Sequence, residues 1–126
     1  MSEPRAYCVV RRDGELLVEE RVDQTAGERA FRPLGRRVGD GSAESAVAEE
    51  FASVLGVDLH GVSPLGAFDS MRVLEGSIEA AWPYAESGFT VYDPETEERR
   101  RVCWLHVDDF RKYGETLEPE GLLETL

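Results

Sequence analysis

The chain has 126 residues, with 26 acidic against 14 basic side chains, a formal net charge of −12 and one lysine, Lys112. That is length for a single domain with one core; so acidic a surface disfavours a nucleic-acid polymer as partner, while a small nucleotide still suits a locally basic or metal-filled cleft. No stretch approaches the roughly 20 apolar residues of a membrane span, and Met-Ser-Glu-Pro does not read as a signal peptide, so the expectation is a soluble, cytoplasmic protein whose acidity also suits a salt-adapted cytoplasm.

Residues 6–12 (AYCVVRR) are rich in strand-forming types, and Asp13-Gly14 followed by 15–21 (ELLVEER) supplies the turn and return strand of a hairpin. Residues 22–29 read as a polar loop and Phe31-Arg32-Pro33 as a short strand, leading into a glycine-bearing loop through Gly41. Ala43, Ala46, Val47, Glu50, Phe51, Val54 and Leu55 recur at three- and four-residue spacing. That period predicts an amphipathic helix over 43–55, with Ser42 as N-cap and Gly56 as its stop. Further on, 60–72 reads as a strand, Glu75-Gly76 as a turn, and 77–84 (SIEAAWPY) as a strand that Pro83 assigns to an edge or a bulge. Residues 89–92 and 100–107 form a second hairpin around a long acidic turn. Cys8 and Cys103 fall inside strands and read as reduced core thiols.

The stretch from Arg32 to Val57 resembles the signature of the Nudix hydrolases, G-x5-E-x7-R-E-U-x-E-E-x-G-U, where U is a bulky apolar residue. Anchored on Gly56-Val57, Glu49 stands at the family's Arg, Glu50 at its first Glu and Phe51 at U, while Ser53 and Val54 stand at the Glu-Glu pair. The loop half, Arg32-Pro33-Leu34-Gly35-Arg36-Arg37-Val38-Gly39-Asp40-Gly41, is similar to a family variant that begins R-P-L-G-G-G-V, and the early Glu falls on Gly41 or Ser42. Gly14-Glu15-Leu16-Leu17-Val18-Glu19-Glu20-Arg21 is similar to the family's opening phrase. Val102 to Phe110 and Leu117 to Leu123 look like its late strand and its ending. The resemblance implies one domain over 1–126, an α/β/α sandwich in which a mixed sheet packs between the box helix and a C-terminal helix.

It also implies an activity, the hydrolysis of nucleoside diphosphates linked to another moiety, in which helix glutamates hold Mg²⁺ or Mn²⁺ against the diphosphate and a metal-bound water attacks. In this sequence Glu50 keeps its carboxylate, Ser53 offers a hydroxyl and Val54 nothing, so Glu50 and Ser53 form a weak metal site and pyrophosphohydrolase activity is expected to be weak or divergent. Glu50 and Glu49 are the candidate catalytic residues, with Asp40, Glu44, Glu95, Glu97 and Glu98 as further sources of a carboxylate. Arg32, Gly35, Arg36, Arg37 and Trp82 are the candidate substrate-binding residues. Arg36 and Arg37 read either as two exposed loop arginines or as guanidiniums that replace the missing cation and grip phosphate oxygens. Trp82, Tyr84 and Trp104 read as core aromatics or as a stacking surface for a base, and His60 and His106 as structural. The alternative to a weak hydrolase is a catalytically inactive nucleotide- or sugar-phosphate sensor, or an interaction module. The expected partner is a nucleotide or sugar diphosphate, with a second copy of the chain as a further association.

Overall fold

The computed structural model describes residues 4–22, 27–68, 70–94 and 96–126. The elements in chain order are β1 (Arg5–Val9), β2 (Arg11–Arg12), β3 (Glu15–Val22), β4 (Arg29–Arg37), α1 (Ala43–Leu55), β5 (Leu59–Phe68), β6 (Met71–Ile78), α2 (Trp82–Ala85), β7 (Gly88–Asp93), β8 (Glu98–His106), α3 (Val107–Arg111) and α4 (Leu122–Thr125). The strands join in one sheet of order β5-β6-β1-β4-β3-β8-β7, with β2 paired to β3. It is mixed, because β1 runs parallel to β6 and antiparallel to β4.

Alternation along the strands sends apolar side chains to both faces, which is why the central segments read as nearly continuous apolar runs. Ala6, Cys8, Leu17, Leu34, Val102 and Trp104 pack toward α1 and its Val47, Phe51, Val54 and Leu55. Tyr7, Val9, Leu16, Val18 and Phe31 pack on the opposite face with Phe110 of α3 and Leu122 of α4. The expected sandwich is therefore present, although its second helical layer is two short helices and not one. Helix α1 begins and ends where the sequence requires: Ser42 Oγ accepts from the Ser45 N–H at 3.1 Å, and Gly56 adopts φ 68°, the left-handed value that closes a helix.

Four expectations change. The first hairpin shrinks to Arg11-Arg12 against Leu16-Glu15 across an Asp13-Gly14 turn with positive φ at both residues. Buried on both faces, β1 instead takes β4 and β6 as its neighbours. The glycine-bearing loop is strand as far as Arg37, so Gly35, Arg36 and Arg37 belong to β4. Residues 60–72 are not one strand but the joint of the β5–β6 hairpin, and Glu75-Gly76 lies inside β6. Gly76 is there because Val62 and the His60 carbonyl approach within 3.1 and 3.2 Å of where its Cβ would stand. Finally, β6 ends at Ile78, and Pro83 sits in the first turn of the short helix α2, where a missing N–H costs nothing.

Both cysteines are free and buried. Burial, with the Glu75 carboxylate nearby, pushes the Cys8 thiol up to about 12, and burial also raises Cys103. The native protein is expected to leave a thiolate-directed reagent unreacted at neutral pH and to expose both thiols on denaturation. A thiol that titrates rapidly before unfolding contradicts that placement. No helix of the described residues is long and apolar enough to cross a membrane.

Candidate functional site

The apolar face that α1 covers becomes charged toward one end of the sheet. On β3 the position after Leu17 on that face is Glu19; on β4 Leu34 is flanked by Arg32 and Arg36; on β8 Trp104 and Val102 are continued by Arg100. Glu50 projects from α1 into the same space and is 1% exposed, as is Glu19. A charge so placed needs a partner, and here the partners form one network. Glu50 Oε1 accepts from Arg36 Nε and Nη2, both at 3.2 Å. Its Oε2 accepts from Arg100 Nη2 at 2.8 Å. Arg100 also donates to Glu19 Oε2 at 2.6 Å and to Asp93 Oδ2 at 2.9 Å. Glu19 Oε1 accepts from Arg32 Nε at 2.6 Å.

Burial raises the Glu50 carboxyl above its ordinary range, against the downward pull of Arg100 and Arg36. Burial opposes the charge of Arg100, but the Glu19 and Glu50 carboxylates outweigh it and hold the guanidinium above its ordinary value. Arg100 Nε is buried and has no acceptor among the described residues.

Over this network lies a cavity of about 440 Å³, lined among others by Arg5, Arg32, Arg36, Arg37, Glu50 and Arg100. It brings together most of the substrate-binding candidates, since Arg32, Gly35, Arg36 and Arg37 all line it with Glu50. Trp82 is elsewhere: it rides on α2, 43% exposed, with its ring 5.2 Å from that of Phe89. Glu49 is exposed and reaches Arg36 only at 3.7 Å. Ser53, Asp40 and Glu44 are exposed and do not line the cavity, and Val54 is buried in the core. Of the acidic-turn carboxylates Glu98 lines it, Glu97 is exposed, and Glu95 lies outside the described residues. Trp104 donates to the Pro83 carbonyl at 2.8 Å and stacks on Tyr84. His106 caps α3, and His60 contacts Glu79 at 3.0 Å on the surface.

These residues do not fit a divalent cation. Both oxygens of Glu50 already face guanidiniums, two positive charges repel a third, and among the described residues no group of three or more His, Cys, Asp or Glu side chains is arranged to hold an ion.

No family model matches the sequence, and no curated protein matches it. Solved structures do. A MutT Nudix hydrolase from Burkholderia pseudomallei superposes with a TM-score of 0.62 at 16% identity, covering 98% of this chain and 97% of that chain. The chain has the Nudix fold. A second Nudix hydrolase, from Nitrosomonas europaea, gives 0.60 at 12% identity over 99% of this chain and 86% of that one. An ADP compounds hydrolase gives 0.58 at 14% identity over 89% of this chain and 63% of that one. Within this Nudix fold, Arg100, Glu19 and Asp93 are the site residues that motif reading missed.

Proposed function

We propose that this Nudix-fold chain binds a phosphorylated small molecule, of the nucleotide or sugar-diphosphate class, and grips it with arginine in place of a metal ion. The observation that carries this reading is the double engagement of Glu50 by Arg36 and Arg100 beneath a cavity that Arg37 and Arg5 also line. A guanidinium presents a planar fork to phosphate oxygens and keeps its charge at any physiological pH. It does not lower the pKa of a bound water, so hydrolysis is weak or absent while binding persists.

The test is ADP-ribose and nucleotide affinity with and without EDTA, in wild type and Arg37→Ala. Arg37 is exposed at the end of β4, so its removal leaves the core intact. Affinity is expected to ignore EDTA and to fall about tenfold in Arg37→Ala, the loss of one charge-assisted contact. Binding that requires Mg²⁺ overturns the proposal.

A second reading, a slow pyrophosphohydrolase, draws support from Asp93 and Glu98, which line the cavity beside Glu50. Manganese-supported phosphate release that vanishes in Glu50→Gln would favour it.

A further inference from the structure

The two edges of the sheet are finished differently. Strand β5, at one end of the order, carries Gly61, Pro64 and Gly66, and its register with β6 shifts twice. Proline and bulges of this kind keep an exposed edge from pairing with another chain. Strand β7, at the other end, has neither: its sequence is Gly-Phe-Thr-Val-Tyr-Asp, and its register with β8 runs unbroken from Gly88 to Asp93. Its one charged residue, Asp93, is buried and accepts from Arg100, so in a chain of net charge −12 this edge offers no exposed charge of its own.

The hydrogen-bonding phase of β7 decides which of its groups face outward. The Ser87 carbonyl accepts from the Trp104 N–H at 3.2 Å, and continuing the β7–β8 register by one step sets these two residues opposite each other, as a hydrogen-bonded pair. Such pairs alternate along an antiparallel ladder. Phe89, Val91 and Asp93 therefore turn their backbone groups to β8. The N–H and C=O of Gly88, Thr90 and Tyr92 point the other way, where no further strand lies among the described residues. The side chains divide by face: Phe89 and Val91 lie half-buried toward α1, with the exposed Trp82 ring 5.2 Å from that of Phe89, while Thr90 and Tyr92 stand exposed on the opposite face.

We infer that β7 is the interface of a two-fold homodimer, in which it pairs antiparallel with β7 of a second copy, centred on Thr90. In that register Gly88, Thr90 and Tyr92 of one copy stand opposite Tyr92, Thr90 and Gly88 of the other, so every outward N–H meets an outward C=O and the sheet continues through both molecules. The side chains are self-complementary as well. Phe89 falls opposite Val91 of the second copy at the closer, non-hydrogen-bonded spacing, and the exposed Tyr92 ring covers Gly88 of the second copy, which has no side chain. Nowhere within the six residues are like charges opposed. A charged peptide from another protein finds no counter-charge on this strand, whereas a strand of the same sequence needs none. Gly88, Thr90 and Tyr92 do not line the arginine cleft, and their pairing is read by mass and not by ligand affinity, so either proposal can fail while the other stands.

Sedimentation of the whole chain across the micromolar range, at low and at high salt, tests it. Wild type is expected to pass from the mass of one chain to that of two as concentration rises, and more readily at high salt, which screens the repulsion between two chains of −12. Thr90→Lys sets two ammonium groups across the two-fold axis and is expected to weaken association about tenfold. Thr90→Pro removes one outward N–H from each copy without touching a bond to β8, and is expected to weaken it at least as much. Val22→Lys, the same change of charge at an exposed site on β3, leaves association unmoved. Thr90→Lys keeps every backbone donor, so it decides the matter if Thr90→Pro fails to fold. The register has a reading of its own, because both native cysteines are buried and an added thiol is the reactive one. Under mild oxidation Thr90→Cys, with Cα atoms about 5.5 Å apart across the axis, is expected to cross-link, and Tyr92→Cys, roughly 13 Å apart, is not. A wild type that stays a single chain at every concentration and salt, an association as strong in Thr90→Lys as in wild type, or equal cross-linking at the two cysteines overturns the assignment.

Discussion

Arg100→Ala is expected to lower stability by about 3–5 kcal/mol, the cost of removing one partner from a buried ionic network. The guanidinium lies within 2.9 Å of Glu19, Glu50 and Asp93, so its loss leaves three buried or nearly buried carboxylates facing one another. Two consequences separate this from ordinary loss of packing. Glu50 already sits above its ordinary range through burial, with Arg100 pulling it down; without Arg100 it rises further. A carboxyl raised in the folded state contributes stability below its unfolded pKa and loses that contribution as pH rises through the folded value. The variant's deficit is therefore smallest in acid and largest above neutrality, which urea unfolding at about pH 5 and pH 8 measures. Freed of the guanidinium, the three carboxylates can also turn toward one shared hard cation. Mn²⁺ or Mg²⁺ is expected to raise the melting temperature of Arg100→Ala and to leave wild type unmoved. A deficit independent of pH and metal means that the network contributes packing alone.

Gly35→Ala is expected to be as damaging for a different reason. A Cβ at this position would stand 1.9 Å from the Ala6 carbonyl oxygen and 2.7 Å from Tyr7 Cα, both main-chain atoms of the strand paired with it. No rotamer relieves a clash with backbone. Either β4 parts from β1 or the whole pair shifts, and the loss is expected to exceed about 3 kcal/mol, roughly 10 °C or more in melting temperature for a domain of this size. Gly39→Ala is the control, since nothing lies within 4 Å of its Cβ position. A Gly35→Ala protein that melts with wild type would show that β1 and β4 separate more easily than their pairing indicates.

Local order in the sequence carried much of the fold. The three- and four-residue spacing from Ala43 to Leu55, bounded by Ser42 and Gly56, corresponds to α1 residue for residue. The acidic turn and its flanking runs correspond to β7 and β8. What failed were glycines and a proline read by type alone. Gly35 and Gly76 are strand residues at which another chain segment comes close, and only the paired strand reveals that. The site was half legible. Arg36 and Glu50 stand in the stretch that carries the family resemblance, but Arg100 lies 81 positions from Glu19 and 50 from Glu50, so no short pattern links them. A signal did exist: Trp104, Val102 and Arg100 alternate, as do Leu17 and Glu19, and a charged residue in the inward phase of an apolar strand demands a buried counter-charge.

Strand β4 gives its first half to β3 and its second half to β1. The strand that brings Arg32, Gly35, Arg36 and Arg37 to the cavity over Glu50 is therefore paired along its length, and the floor of that cavity is one continuous ribbon. A guest of the proposed kind would be admitted by swinging guanidinium side chains aside, on the nanosecond scale of side-chain motion, and not by the slower parting of rigid lobes.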